Sequence, residues 1–188
     1  MSKDKLVLVT QNKHKLEELS PLFQRYGVSF QTSSLEKQEI RSTSTEQIAL
    51  EAALRAYSSL DCSVVVDDTG LYIDSLGGFP QAYPAFVLQT IGLEGILKLM
   101  QDIELRQAKF VCSVGFADGS GVYTFVGEMH GTIAHEPQGA GGFGYDPIFI
   151  PRGETRTYAE MTFEEKIAFS HRTKAFTKFL DWYTSDKS

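Results

Sequence analysis

The sequence predicts an α/β fold built on a mixed β-sheet, and three observations carry that expectation. Uninterrupted apolar runs at Leu6–Val9 and Ser63–Val66 have the pattern of short strands covered on both faces. Around them lie segments with apolar residues at three- and four-residue steps, the period of an amphipathic helix. Further along, the pattern changes to that of a hairpin, so antiparallel pairing joins the alternation of strands and helices.

Taken in order, the strand at Leu6–Val9 runs into a polar turn and then a helix whose buried side is Leu16, Leu19, Leu22 and Phe23, with Pro21 as a weak point. Thr45 to Ser59 is rich in Ala and Leu, with Ile48, Ala52 and Ala56 four residues apart. It reads as a helix capped by Ser44 or Thr45. The strand at Ser63–Val66 is expected to end in the polar group Asp67-Asp68-Thr69-Gly70. Phe86 to Met100 reads as one helix with Leu93, Ile96, Leu97 and Met100 inward, weakened by Gly92 and Gly95. Phe110–Ala117 and Val122–Val126 flank Asp118-Gly119-Ser120-Gly121, a hairpin signal. A glycine-rich loop, Gly139 to Gly144, precedes a strand near Ile148–Ile150. The last helix spans roughly Glu164 to Tyr183, burying Phe176, Phe179, Leu180 and Tyr183.

Composition bounds what such a fold does. The chain has 188 residues, 42% hydrophobic and 22% charged, which fits one ordinary globular domain spanning 1–188. Its formal charge of −6 argues against nucleic acid or an anionic membrane surface as the main partner. Cys62 and Cys112 are the only cysteines, too few for a disulfide scaffold or a cysteine zinc site. No apolar stretch approaches the length of a membrane span or a signal peptide, so a cytoplasmic location is expected. A serine-hydrolase elbow is lacking, and His130 and His135 have no partner at metal-ligand spacing.

Polar side chains gather beside the expected strands, where α/β sheets bind ligands. Thr10-Gln11-Asn12-Lys13-His14-Lys15 opens a helix, whose amides with Thr10, Asn12 and Lys15 suit an anion such as phosphate. A solvated turn capped by Asn12 explains the same residues equally well. Asp67 and Asp68 close an apolar strand, where adjacent carboxylates call for a cation or hydrogen bonds, and Mg²⁺ is the hard ion such oxygens hold. The alternative is a turn in which Asp68 or Thr69 caps backbone groups. In Gly139–Pro147 the glycines allow close approach, Phe143 or Tyr145 can stack on a base, and Asp146 can orient a polar group. A flexible hairpin loop is the plainer account. Lys166 and Arg172, with His171 between them in the last helical region, can supply positive charge, although such residues are more often on the surface. Together these features describe a nucleotide polyphosphate site with a divalent cation.

In order along the chain, T-Q-N-x-x-K, D-D-T-G-L-x-x-x-x-L-G-G-F-P, G-G-F-G-Y-D-P-I-F and S-H-R resemble the Ham1/inosine triphosphate pyrophosphatase family. The resemblance spans Thr10 to Arg172. It implies an elongated mixed sheet flanked by helices in two lobes, with an active-site cleft between them and a homodimeric assembly. The implied activity is Mg²⁺-dependent hydrolysis of non-canonical purine triphosphates (inosine, deoxyinosine, xanthosine) to monophosphate and pyrophosphate, with Mn²⁺ as a substitute ion. It further implies that Thr10, Asn12 and Lys15 hold the phosphates. Asp68 is then catalytic and metal-binding, with Glu39 and Asp67 as further metal ligands and Thr69 in contact with substrate. Phe143, Gly144, Tyr145 and Asp146 take the base, and Lys166, His171 and Arg172 complete its recognition. The chain departs from the family pattern at Gln11 and Gln81, both usually glycine, at Pro84-Ala85-Phe86, often Ser-Ala-Arg, and at Glu51, with Arg55 one turn later. A pyrophosphatase for another modified nucleotide and a non-catalytic nucleotide-binding module are the rival readings.

Overall fold

The computed structural model describes residues 6–35 and 40–185. Strand β1 (Val7–Val9) pairs in parallel with β2 (Gln31–Ser33) and with β3 (Val64–Ile73), through Val7↔Gln31 and Val7↔Val64. Helix α1 (Lys13–Arg25) connects β1 to β2, and α2 (Thr45–Leu60) leads from there to β3. Asn12 caps α1, and Ser44 caps α2 by accepting from the Gln47 N–H at 3.3 Å, as its position before an apolar-periodic run predicts. Pro21 does not break α1; it only forgoes one amide donor.

After β3 come the two-residue strand β4 (Pro80–Gln81), which pairs antiparallel with it, and helices α3 (Pro84–Thr90) and α4 (Gly92–Leu99). The single helix expected over Phe86–Met100 is thus two. Gly92 at φ +66° is the breaker, because a left-handed residue ends a helical run. Strands β5 (Gln107–Asp118) and β6 (Gly121–Ile133) form the hairpin, longer at both ends than the sequence pattern marks. Its turn is held by Asp118 Oδ1, which accepts from the Ser120 N–H at 2.8 Å. Strand β7 (Phe149–Pro151) adds antiparallel to β6, and the chain ends in α5 (Phe163–Ile167) and α6 (His171–Ser185). The one helix expected over Glu164–Tyr183 is therefore also two. Among the described residues the sheet order is β2-β1-β3-β5-β6-β7, with β4 beside β3. No described helix is long and apolar enough to cross a membrane.

The largest departure from expectation is β3. It does not stop at Asp67 but runs ten residues, so Asp67, Asp68, Thr69 and Gly70 lie within a strand rather than in a turn.

Two compact units share the chain. The first comprises the described residues of Met1–Asp68, Cys112–Gly127 and Arg172–Ser188. In it the sheet has a core on each face. Leu8, Val65, Val114 and Phe116 pack with Leu19, Phe23, Phe176 and Phe179 of α1 and α6 on one side. Val7, Val9, Val64 and Val66 pack with Ala49, Ala52, Ala53 and Ala56 of α2 on the other. The second unit, Thr69–Val111 and Glu128–His171, is built around Leu71, Ile73, Ile96, Phe110, Phe149 and Tyr158.

The alanines of α2 let that helix lie close to the sheet, and Gly115 on β5 completes the fit. A Cβ there would sit 2.2 Å from the Ala49 carbonyl oxygen. Gly115→Ala should therefore destabilise the protein by about 2 kcal/mol through overpacking. The check is the urea unfolding midpoint at constant m-value, which should fall; an unchanged midpoint would show that α2 yields freely.

Candidate active site

The turn between β1 and α1 assembles from its own polar groups. Asn12 Oδ1 accepts from the amides of His14 at 3.0 Å and Lys15 at 3.4 Å, and Thr10 Oγ1 accepts from the Asn12 N–H at 3.2 Å. The Asn cap, one of the two readings of this segment, is thus present. Of the two lysines of the turn, Lys15 is the more buried. Gln11, at a position where glycine is usual, donates from Nε2 to the Ser34 carbonyl at 2.9 Å and ties the turn to the end of β2.

Lys15 reaches Asp67: Nζ lies 2.8 Å from Oδ2. The same oxygen lies 3.6 Å from Arg172 Nε and accepts from Cys112 Sγ at 3.8 Å. Arg172 in turn donates through Nη1 to Glu18 Oε2 on α1. Burial by itself would lower the pKa of Arg172, which is 2% exposed, but the Glu18 and Asp67 carboxylates beside it hold its guanidinium above the ordinary value. Two cations and two anions thus stand together inside the first unit.

Strand alternation separates the adjacent aspartates. Val65 belongs to the core under α1 and α6, whereas Val64 and Val66 belong to the core under α2. Asp67 continues the first face and Asp68 the second. Asp67 pairs with Lys15 and Arg172, on the opposite face of the strand from Asp68. Asp68, 7% exposed, remains as a hard oxygen donor. Glu39 lies outside the described residues. Among the described residues no group of three or more His, Cys, Asp or Glu gathers as a metal cage. A carboxylate oxygen of this kind is chemically suited to Mg²⁺, a hard ion whose shell is usually completed by waters and substrate oxygens rather than by an all-protein cage.

The glycine-rich loop belongs to the second unit. Asp146 Oδ2 accepts from the Phe143 N–H at 2.8 Å and from Lys166 Nζ at 2.6 Å. Lys166, 5% exposed, also stands 4.5 Å from the centroid of the Phe143 ring and 5.6 Å from that of Tyr158. Phe143 therefore has a cation on its ring and its backbone pinned, a fixed, half-buried aromatic plate. Tyr145 does not share that role. It is buried, its hydroxyl donates to the Pro84 carbonyl at 2.9 Å, and burial raises its pKa far above the usual phenol range, so it is a neutral structural tie. The glycines serve the loop itself more than a ligand. A Cβ on Gly142, at φ +69°, would sit 2.1 Å from Asp146 Oδ2, and one on Gly139 would strike the Ala159 backbone. Gly144 has open space and a left-handed φ of +67°.

His171 is buried and stacks on Phe110 at 4.6 Å, within the second unit. Thr69 is half-buried on β3. Neighbours in sequence, His171 and Arg172 thus belong to different units, and Arg172 stands with Lys15 and Asp67 within the first. Sequence reasoning missed Glu18 and Cys112. The signal for Glu18 was a carboxylate three residues after Lys15 and four before Leu22, flanking the apolar side of α1. Gln81 keeps the backbone of the glycine it replaces, at φ +57°.

Known proteins resemble this chain in sequence and fold. The model of the Ham1 family matches residues 6–182. A dITP/XTP pyrophosphatase of Pyrobaculum aerophilum is 48% identical over 95% of each chain, and one of Methanopyrus kandleri is 46% identical over 97% of each. The solved structure of a HAM1 protein from Coxiella burnetii superposes with a TM-score of 0.86 at 27% identity, covering 96% of this chain and 98% of that one. With its motifs, fold and relatives in agreement over most of its length, the chain belongs to the Ham1 family.

Proposed function

We propose that the chain is a Mg²⁺-dependent nucleoside triphosphate pyrophosphohydrolase acting on inosine, deoxyinosine and xanthosine triphosphates, yielding monophosphate and pyrophosphate. One observation carries this reading. Strand β1 stops at Val9 while its parallel neighbour β3 runs on through Asp67 and Asp68, so the Thr10–Lys15 turn opens beside buried carboxylates. Lys15, paired with Asp67, and the Asp68 carboxylate on the opposite face of β3 both lie at the level where β1 ends, the strand-end position that ligands of α/β sheets use. The name borne by the relatives supports the same activity.

In this reading Lys15, with the Thr10 hydroxyl and the Asn12 amide, receives the phosphates. Asp68, with Glu39, would hold Mg²⁺, which when bound neutralises charge on the polyphosphate. The Asp68 carboxylate takes the proton of the water that attacks the α-phosphorus. The bond from that phosphorus to the bridging oxygen breaks, and pyrophosphate leaves with part of its charge met by Lys15. Phe143 stacks on the purine, with Gly144 and Asp146 shaping its seat, Lys166 near its edge and Thr69 beside the substrate. Arg172 supports the phosphate side through Asp67 in the first unit, and His171 is held on Phe110 in the second. A 6-oxo group accepts from N–H donors where a 6-amino group presents hydrogens of its own, leaving donors unpaired at about 1–3 kcal/mol each. A nucleotide-pool enzyme of this kind works in the cytoplasm, where its substrates are.

We also propose a homodimer. No charged residue occurs between Asp74 and Glu94, in a chain that is 22% charged, and Phe79, Tyr83, Phe86 and Ile91 within that stretch are exposed. Aromatic enrichment with charge depletion marks the core of a protein interface, and an uncharged face lets two copies of an acidic chain meet without repulsion.

The first test is pyrophosphate release from inosine, xanthosine, guanosine and adenosine triphosphates, with Mg²⁺ and with EDTA. Release from the first two, lost in EDTA and in Asp68→Asn, is expected; tight triphosphate binding without release would make the chain a binding module instead. For the dimer, Phe86→Glu, at a side chain 65% exposed, should convert the sedimenting species from dimer to monomer. A wild-type monomer at micromolar concentration would dismiss it.

A further inference from the structure

We infer that Asp67 is a positioning residue for this reaction: from the face of β3 opposite Asp68, it fixes Lys15 and Arg172, and through Lys15 it sets how the triphosphate is received. This role rests on the pyrophosphohydrolase reading above.

The geometry is that of an anchor. A single carboxylate oxygen, Oδ2, lies 2.8 Å from Lys15 Nζ and 3.6 Å from Arg172 Nε, and Cys112 Sγ contacts it at 3.8 Å. The Asp67 and Arg172 side chains are 1% and 3% exposed, whereas that of Lys15 is 18% exposed, so the anchor is buried and the anchored lysine has access to solvent. A lysine stem has four rotatable carbons and loses much freedom when it binds. Held on Asp67, Lys15 has lost that freedom on folding, before any ligand arrives, and this is how preorganisation improves binding. Arg172 is held from two sides, by Glu18 and by Asp67, and in turn keeps the Asp67 carboxylate in place. Strand alternation keeps the pair clear of the metal-side face, so Asp67 acts on the phosphates through Lys15 and leaves the cation to Asp68.

The test measures initial rates on inosine triphosphate against both triphosphate and Mg²⁺ concentration, for wild type, Asp67→Asn, Lys15→Ala and the double variant. Asp67→Asn should raise KM about tenfold with kcat within about threefold, as loss of an ionic anchor predicts. The Mg²⁺ concentration for half-activation should not move. In the Lys15→Ala background the same substitution should change KM by less than about twofold, because the two act as one unit. A raised Mg²⁺ requirement would make Asp67 a metal ligand and overturn the assignment, as would a full tenfold effect persisting without Lys15. If Asp67→Asn does not fold, Asp67→Glu keeps the charge on the same face. Its KM should stay within about threefold of wild type at unchanged Mg²⁺ requirement, by the same conservation of charge; a tenfold rise or a shifted Mg²⁺ requirement overturns the role. Wild-type protein that releases no pyrophosphate removes the enzymatic reading and this role together; wild-type turnover with any of the contrary results removes this role alone.

Discussion

A carboxylate in the middle of a buried strand is the constraint on which the first unit depends. Asp67 stands where the sheet is covered on both faces, and an isolated charge there costs several kcal/mol. Lys15 from α1 and Arg172 from α6 offset that cost, and Glu18 balances the second cation. The cluster explains three features together. It lets β3 continue past a position where an apolar strand would otherwise end, it brings the first and last helices of the chain onto one face of the sheet, and it leaves the other face to Asp68.

Much of this organisation is legible in the sequence because its causes are local. The apolar runs of β1 and β3, the alanine spacing of α2, the Ser44 cap and the Asp118 turn each act within a few residues, and each stands where its pattern puts it. What the pattern misplaces has causes elsewhere in the chain. Asp67-Asp68 reads as a strand end because nothing nearby neutralises it; the neutralising residues are Lys15 and Arg172, more than fifty residues before and a hundred after. The helices over 86–100 and 164–183 read as continuous because apolar periodicity alone does not mark where one helix stops and the next begins. The two-residue β4 and the short polar β2 carry too few residues to show a period at all.

The candidate site was legible as a set of residue types but not as an arrangement. Phe143, Asp146 and Lys166 do come together, joined through one carboxylate oxygen. Tyr145 looked equivalent to Phe143 by composition, yet two positions along an irregular loop turn one ring into the core and leave the other half-buried. Gly139 and Gly142 looked like room for a ligand and are room for Ala159 and Asp146. A glycine reports that something comes close; only the fold tells whether it is substrate or protein.

Neither compact unit is a contiguous stretch of chain: β3, β5, β6 and the start of α6 each carry the polypeptide from one to the other. During synthesis, Glu18 and Asp67 emerge more than a hundred residues ahead of Arg172, which meets both. Until it leaves the ribosome the nascent chain holds two carboxylates destined for burial with Lys15 as their nearer counter-charge. Assembly of the first unit therefore waits for α6, without which one face of its sheet lacks Phe176, Phe179 and Leu180.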